Sequence, residues 1–558
     1  MASEDVLRKT LKNADGKPFA KYKGLTNSFA LEDFELIVDE VQNDRAGHSF
    51  MRVRVPMRSA GFPEDTYSTP SRRKALKDLI SRRFWESART YARSPIPKTD
   101  GGEMFIPRPG QEILDRGSVA VTEHYVEVRF TADLPSSGGK VSAAATEALV
   151  FERIAAVVKE SMYFSAYKRS KLYNHLTTAE NADFIRDSLR ERGLVAFVAN
   201  GSVLPRRDDD LAPMVGAVEF WCEDEALRTT FDVPNGLPLE GWGIPEGFNA
   251  IVGPSRNGKS VLADAVFAGV YDHIPGDGRE YVVSVPEAVF VTSEEGRPAV
   301  SADLSMFMAS SEDFDASSVT SQRVPSPMSE VVSISEAIEM GSSLIIMDEE
   351  YSNPCVIRKG FMAEDGSYTS ISEAGGAMGR AGVSILMVTG DESAVRSADH
   401  VFLMKGFRVH PVTVEGHRDD NRAFVRPQAR YPVTKSTDFE KGRKKVSTSA
   451  VSIRAVEVGE RTISVPMAAF FDMAQTRTIA DAIAISKDMM DGSRSLREAC
   501  EEALKALRAA DQEEGNTSAM YHSDARPIDM AAVLNRHPGI LMIRKREGLS
   551  ERGLVPPL

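Results

Sequence analysis

The chain has 558 residues, 42% of them hydrophobic, enough to bury several cores and fill about two to four domains. A formal net charge of −13 argues against a surface that coats nucleic acid everywhere, while leaving room for a local basic groove. Three scattered cysteines, no apolar run of membrane-spanning length and an acidic N-terminus that does not read as a signal peptide predict no membrane partner and a reducing compartment, the cytoplasm or an organelle.

The N-terminal part contains two period-two runs, Phe50 to Val55 and Tyr125 to Phe130, each patterned as a half-buried strand. Between them a basic stretch from Ser71 to Arg93 places Leu76, Leu79, Ile80 and Phe84 at helical spacing, with Arg72, Arg73, Lys74, Lys77, Arg82, Arg83, Arg89 and Arg93 around them. Two readings compete for its charges: an RNA-facing surface with Phe84, Trp85 and Tyr91 as stacking groups, or a solvated helix face.

Next comes a short apolar run, Phe248 to Val252, followed by Gly253-Pro254-Ser255-Arg256-Asn257-Gly258-Lys259-Ser260 and the helical pattern that begins at Val261. Strand, glycine-rich turn and helix are the context of a phosphate-binding loop. The glycines let several N–H groups converge on one phosphate chain, and the helix adds its positive end. Lys259 is predicted to reach the terminal phosphates, and the Ser260 hydroxyl to ligate Mg²⁺. A turn signal at Ile274-Pro275-Gly276-Asp277-Gly278 follows, then a Ser/Asp/Pro-rich loop or lid from Ser305 to Pro327.

About ninety residues after the loop, Ser343-Leu344-Ile345-Ile346-Met347 ends in Asp348 and Glu349. So apolar a run suits a strand buried on both faces of a parallel sheet, and acids at its C-terminal end fall where such sheets bind ligands. Asp348 is expected to hold Mg²⁺ and Glu349 to polarise the water that attacks the γ-phosphate of ATP. A polar linker is expected around Lys435 to Ser449. A helical region follows it, with a capping box at Ser495-Leu496-Arg497-Glu498.

With these segments in hand, the chain resembles a stand-alone family of predicted ABC-class ATPases that includes a protein of a kinetoplastid mitochondrial RNA-binding complex. The likeness runs through Tyr22-Lys23-Gly24, Arg52 to Pro56, Pro107 to Glu112, Gly193 to Val198, Leu204 to Arg207 and the long stretch His273 to Glu280. It ends in Arg477 and the run from Asp491 to Glu498. The resemblance implies an α/β ABC-type P-loop NTPase core at 213–430, flanked by an α+β N-terminal domain at 1–212, a linker at 431–450 and a small, mostly helical C-terminal domain at 451–558. It also implies a homodimer using ATP and Mg²⁺, with RNA as a partner of at least some members.

In such dimers a signature loop of one protomer closes over ATP held by the other. The residues matched to it are Ser317, Ser318, Thr320, Ser321 and Gln322, with Ser318 standing where the family has glycine and Val319 where it has serine. Asn353 and Arg358 are candidate contacts to nucleotide or partner. The histidine that ordinary ABC ATPases place after the next core strand is absent, and Thr389-Gly390-Asp391 occupies that position. Two functions follow: an ATP-hydrolysing dimeric clamp acting on RNA, or a nucleotide-gated scaffold for a protein partner with little turnover, which the altered signature favours. A small-molecule kinase is disfavoured because the paired acids point to water as the nucleophile.

Overall fold

A computed structural model describes residues 2–43, 47–92, 96, 99–208, 211–358, 368–416, 423–444, 446–465 and 469–544. Arg93 and Lys445, both among the basic residues noted above, lie outside the described residues.

The N-terminal domain is an antiparallel sheet whose strands Asn27–Ala30, Glu35–Glu40, Ser49–Pro56 and Tyr125–Ala132 pair in that order. Helix α1, Pro70–Ala92, covers one face with Leu76, Ile80 and Phe84, and the Phe84 ring sits 5.2 Å from that of Phe130. The alternation in the two central strands suggested one solvated face. Instead both faces are covered, and Arg52 and Arg129 are buried opposite one another. Carboxylates make this tolerable: Arg52 pairs with Asp39 at 2.7 Å, Arg54 with Glu127 at 2.7 Å and Arg129 with Glu127 at 3.1 Å. The C-terminal domain closes the same face, through Glu514 against Arg54 and the Asp511 carbonyl accepting from Arg129.

Strand β1, Phe248–Val252, leads into helix α2, Lys259–Ala268. Strand β2, Val289–Val291, precedes the hairpin formed by Ala299–Ala302 and Val319–Ser321. Helix α3, Ser326–Glu339, then feeds strand β3, Leu344–Asp348. Strands β4, Ser384–Val388, β5, His400–Lys405, and β6, Arg408–Pro411, complete a six-stranded sheet of order β2-β3-β4-β1-β5-β6, parallel except for β6. The near-continuous apolar strands are buried on both faces, as a parallel sheet between helices requires. A second, antiparallel sheet pairs Leu194–Ala199 with Leu239–Pro245 and Val282–Ser284. Residues 194–199, assigned to the N-terminal domain from sequence, therefore belong structurally to the core. Their strand partners lie beyond residue 212, and no local signal could show that.

The expected linker is also shorter than 431–450. Tyr431–Val433 pairs with Leu541–Ile543 near the other end of the C-terminal domain, and Thr448–Ser452 starts a three-stranded sheet with Ala455–Val458 and Arg461–Ser464. Helices α4, Met473–Ser486, α5, Leu496–Asp511, and α6, Pro527–Asn535, pack beside it. The Ser495/Glu498 capping box forms as expected, with Ser495 Oγ accepting from Glu498 N. Among the described residues no helix is long and apolar enough to cross a membrane, and Cys222, Cys355 and Cys500 are unbridged.

Candidate functional site

Strand register brings the two motifs together. Ile251 lies opposite Val388, and Val388 opposite Asp348, so the end of β3 and the loop after β1 share the C-terminal edge of the sheet. The loop's geometry needs its glycines. Gly253 has φ of 140°, and a Cβ there would stand 2.2 Å from the Met404 carbonyl oxygen. Gly258 has φ of 95°, with the Phe407 ring packed against it. Arg256 also adopts a left-handed φ of 61°. Asn257 staples the loop, its Nδ2 donating to Ser255 O at 3.0 Å while its Oδ1 accepts from Gly406 N at 2.8 Å. Lys259 Nζ donates to the carbonyls of Gly253 at 2.8 Å and Pro254 at 2.9 Å, so the ammonium is already folded over the loop. Pro254, Ser255 and Arg256 are exposed, and Ser260 and Val261 follow in the first turn of α2.

Asp348 is fully buried. Its Oδ1 accepts from Glu350 N at 2.9 Å, and its Oδ2 has no hydrogen-bond partner among the described residues. A buried carboxylate oxygen left bare is costly unless a cation or its water shell completes it, so this acid fits Mg²⁺ next to a phosphate loop. Asp264, on α2, keeps an exposed side, yet desolvation by the surrounding protein and the nearby Asp348 carboxylate push it up to about 6 against the opposing Arg454 and Arg279 guanidiniums. Glu349 points toward the end of β4. Its Oε2 accepts from Gly390 N at 2.6 Å and Thr389 Oγ1 at 3.0 Å, and Arg358 Nη2 stands 3.5 Å from Oε1. Arg358 is held in turn by Asp391 at 3.0 Å. Thr389 was not singled out from sequence, and only its position after a core strand pointed to it.

The proposed signature residues lie elsewhere than at a helix start. Ser317 hydrogen-bonds to Asp315 at 2.7 Å, Thr320 Oγ1 accepts from Ser301 N at 2.9 Å, and Ser321 Oγ donates to Arg323 O at 3.0 Å. Ser318 N donates to Asp315 O, and Val319–Ser321 is a strand edge, so these hydroxyls serve the hairpin. The helix that feeds β3 begins at Ser326, beyond Gln322 and Arg323. Pro327 sits in its first turn, where the missing N–H costs nothing. Pro325 as the N-cap and Pro327 in the first turn mark that start. That start is tied down by Ser293 Oγ donating to Ser326 O at 3.1 Å and by Asn353 Nδ2 donating to Ser326 Oγ at 3.1 Å. Glu330 accepts from Asn353 N at 2.9 Å and is pushed up to about 7 by burial.

Four of the basic residues of helix α1 are matched by acids of the same chain. Arg72 pairs with Glu180 at 2.9 Å, Lys74 with Asp183 at 3.1 Å, Lys77 with Asp115 and Arg82 with Asp78 at 2.5 Å. Arg73 and Arg83 donate to the Tyr67 and Glu160 carbonyls, and Arg89 lies over Trp85.

A loop with this backbone, a helix launched from it and two acids at the end of the second parallel strand over define an ABC-class P-loop fold. Family models match most of the chain: the N-terminal domain of ABC-class ATPases over residues 4–165, the ABC ATPase P-loop domain over 168–437 and the MRB1590 C-terminal domain over 447–541. The chain belongs to the stand-alone ABC-class ATPase family that carries this C-terminal domain. Over 112 residues it is 31% identical to the uncharacterized protein MJ1628 of Methanocaldococcus jannaschii. That match covers 19% of this chain and only 25% of MJ1628's length. Among solved structures, the ATP-binding cassette MJ0796, described as dimeric, post-hydrolysis and bound to ADP and Pi, is 13% identical, with 34% of this chain and 97% of that one covered at a TM-score of 0.23. CbiO1 of Clostridium perfringens, part of the ABC transporter complex cbiONQ, is 17% identical, with 39% and 87% covered at 0.22.

Proposed function

We propose that this chain is a homodimeric, MgATP-driven clamp that hydrolyses ATP at two composite sites. The observation that carries this reading is the bare, buried Oδ2 of Asp348 at the sheet edge shared with the phosphate loop, with Glu349 next to it. Lys259 and the N–H groups from Ser255 to Ser260 would bind the phosphates, with Gly253, Pro254, Gly258 and Val261 shaping the cradle. Ser260 and Asp348 would hold Mg²⁺, which neutralises developing phosphate charge when bound. Glu349 would orient the attacking water once Arg358 no longer holds it, and Thr389 with Gly390 would supply the fixed donors that aim it. For the contact in trans we take the start of α3 at Ser326 to Ser329 in place of Ser317 to Gln322, because it presents a helix N-terminus.

A scaffold with little turnover is the second reading, favoured by the capture of Glu349 by three groups at once. An RNA role, where it exists, would draw on basic residues other than Arg72, Lys74, Lys77 and Arg82 of α1, whose charges are already matched. Molecular mass in solution, with and without MgATP, tests the clamp. Glu349→Gln is expected to dimerise on MgATP and to lose at least about a hundredfold in turnover. A monomer under all conditions would sink the clamp, and negligible wild-type turnover with intact dimerisation would select the scaffold.

A further inference from the structure

Gln322 and Arg323 line a groove of about 410 Å³ between the loop after β2, the approach to α3 and the strand Arg461–Ser464 of the C-terminal domain. Four arginines converge on it. Two are neutralised: Arg297 by Glu336 at 2.7 Å and Arg536 by Glu294. The other two, Arg323 from the core and Arg461 from the C-terminal domain, make no ion pair or side-chain hydrogen bond among the described residues. Arg323 is nonetheless positioned. Its guanidinium lies against Gly296, where a Cβ would come within 3.2 Å of Nε and Nη2. The Gln322 amide and the Thr462 and Ser464 hydroxyls add neutral donors, and Glu295 is the one unpaired carboxylate lining the groove among the described residues.

We propose that this groove binds a small phosphate-bearing anion of the polyphosphate class, bridging Arg323 to Arg461. Guanidinium groups contributed by two domains to one groove suit phosphate oxygens in chemistry and charge, and the volume suits a small ligand. No Phe, Tyr or Trp lines the groove among the described residues, so it lacks the stacking platform that single-stranded nucleic acid uses. Because Arg323 sits just before α3 and Arg461 on the C-terminal sheet, an anion between them ties that domain to the helix start proposed to act in trans. The site is independent of ATP turnover.

Calorimetric titration with inorganic pyrophosphate, at low salt in EDTA, tests the assignment in a Lys259→Ala background that disables the phosphate loop. Binding is expected to persist there, to weaken about tenfold or more in Arg323→Ala and in Arg461→Ala, and to tighten in Glu295→Gln, with unchanged thermal unfolding in the absence of ligand. Loss of all binding with Lys259→Ala overturns the site, as does binding indifferent to both arginines or weakened by Glu295→Gln. Single-stranded RNA held more tightly than pyrophosphate through the same two arginines overturns the small-anion assignment.

Discussion

At Glu349 three groups converge on one carboxylate, from Thr389, Gly390 and Arg358. A charge-assisted hydrogen bond of this kind contributes about 1.5–3 kcal/mol. Thr389→Val keeps the shape and removes one donor, so kcat for ATP is expected to fall about tenfold with KM little changed. Steady-state kinetics that show an unchanged kcat would remove Thr389 from the site. Gly253→Ala is harsher: a methyl group 2.2 Å from the Met404 carbonyl oxygen cannot be accommodated by moving a side chain, so nucleotide affinity measured by titration should be lost. Lys259, Asp348 and Glu349 were legible in the sequence because a phosphate loop and a strand ending in acids are local patterns. Thr389 was not, since its role exists only where β4 lies beside β3.

The start of α3 shows what a local pattern leaves open. Ser, Thr and Gln in a row resemble a helix-capping loop, yet Val319–Ser321 joins a hairpin because Ala299–Ala302 offers it an edge. The choice is made by a partner strand remote in sequence. Helix α1 teaches the same lesson about charge: Arg72 and Lys74 face Glu180 and Asp183 on another helix, and its own buried Asp78 is held well below the usual carboxylate range by Arg82 and by the distant Arg116. Arg116 is buried between Asp78 at 2.8 Å and Asp472, the N-cap of α4, at 2.7 Å, and so joins the N- and C-terminal domains. Arg116→Ala leaves two buried carboxylates short of a partner. It is expected to destabilise the fold by about 3–5 kcal/mol in urea unfolding, and a change under about 1 kcal/mol would refute the coupling.

Across the whole molecule, the C-terminal domain closes over both others. His522 is buried between Asp481 at 2.9 Å and Asp511 at 2.8 Å, and its carbonyl accepts from Gly117 N of the N-terminal domain. The two carboxylates outweigh burial and push the imidazole up to about 9, so it is charged in the folded protein at neutral pH. A raised folded-state value means that the stabilisation is complete below about pH 6.5 and disappears as pH climbs through about 9. Thermal unfolding of the wild type should therefore weaken between those limits relative to His522→Gln, whose profile should be flatter. Parallel profiles for the two proteins would contradict the assignment.

The sequence by itself determined where the phosphate-loop pattern, the two acids and the apolar strands lie, because each depends on neighbours within a few residues along the chain. Only the tertiary structure decided that 194–199 belongs to the core sheet, that α3 starts at Ser326, that Arg72 and Lys74 of α1 meet acids on another helix and that two arginines share one groove. Those outcomes depend on which distant segments meet, and pairing between strands, ions and domains is settled by burial of the whole chain together.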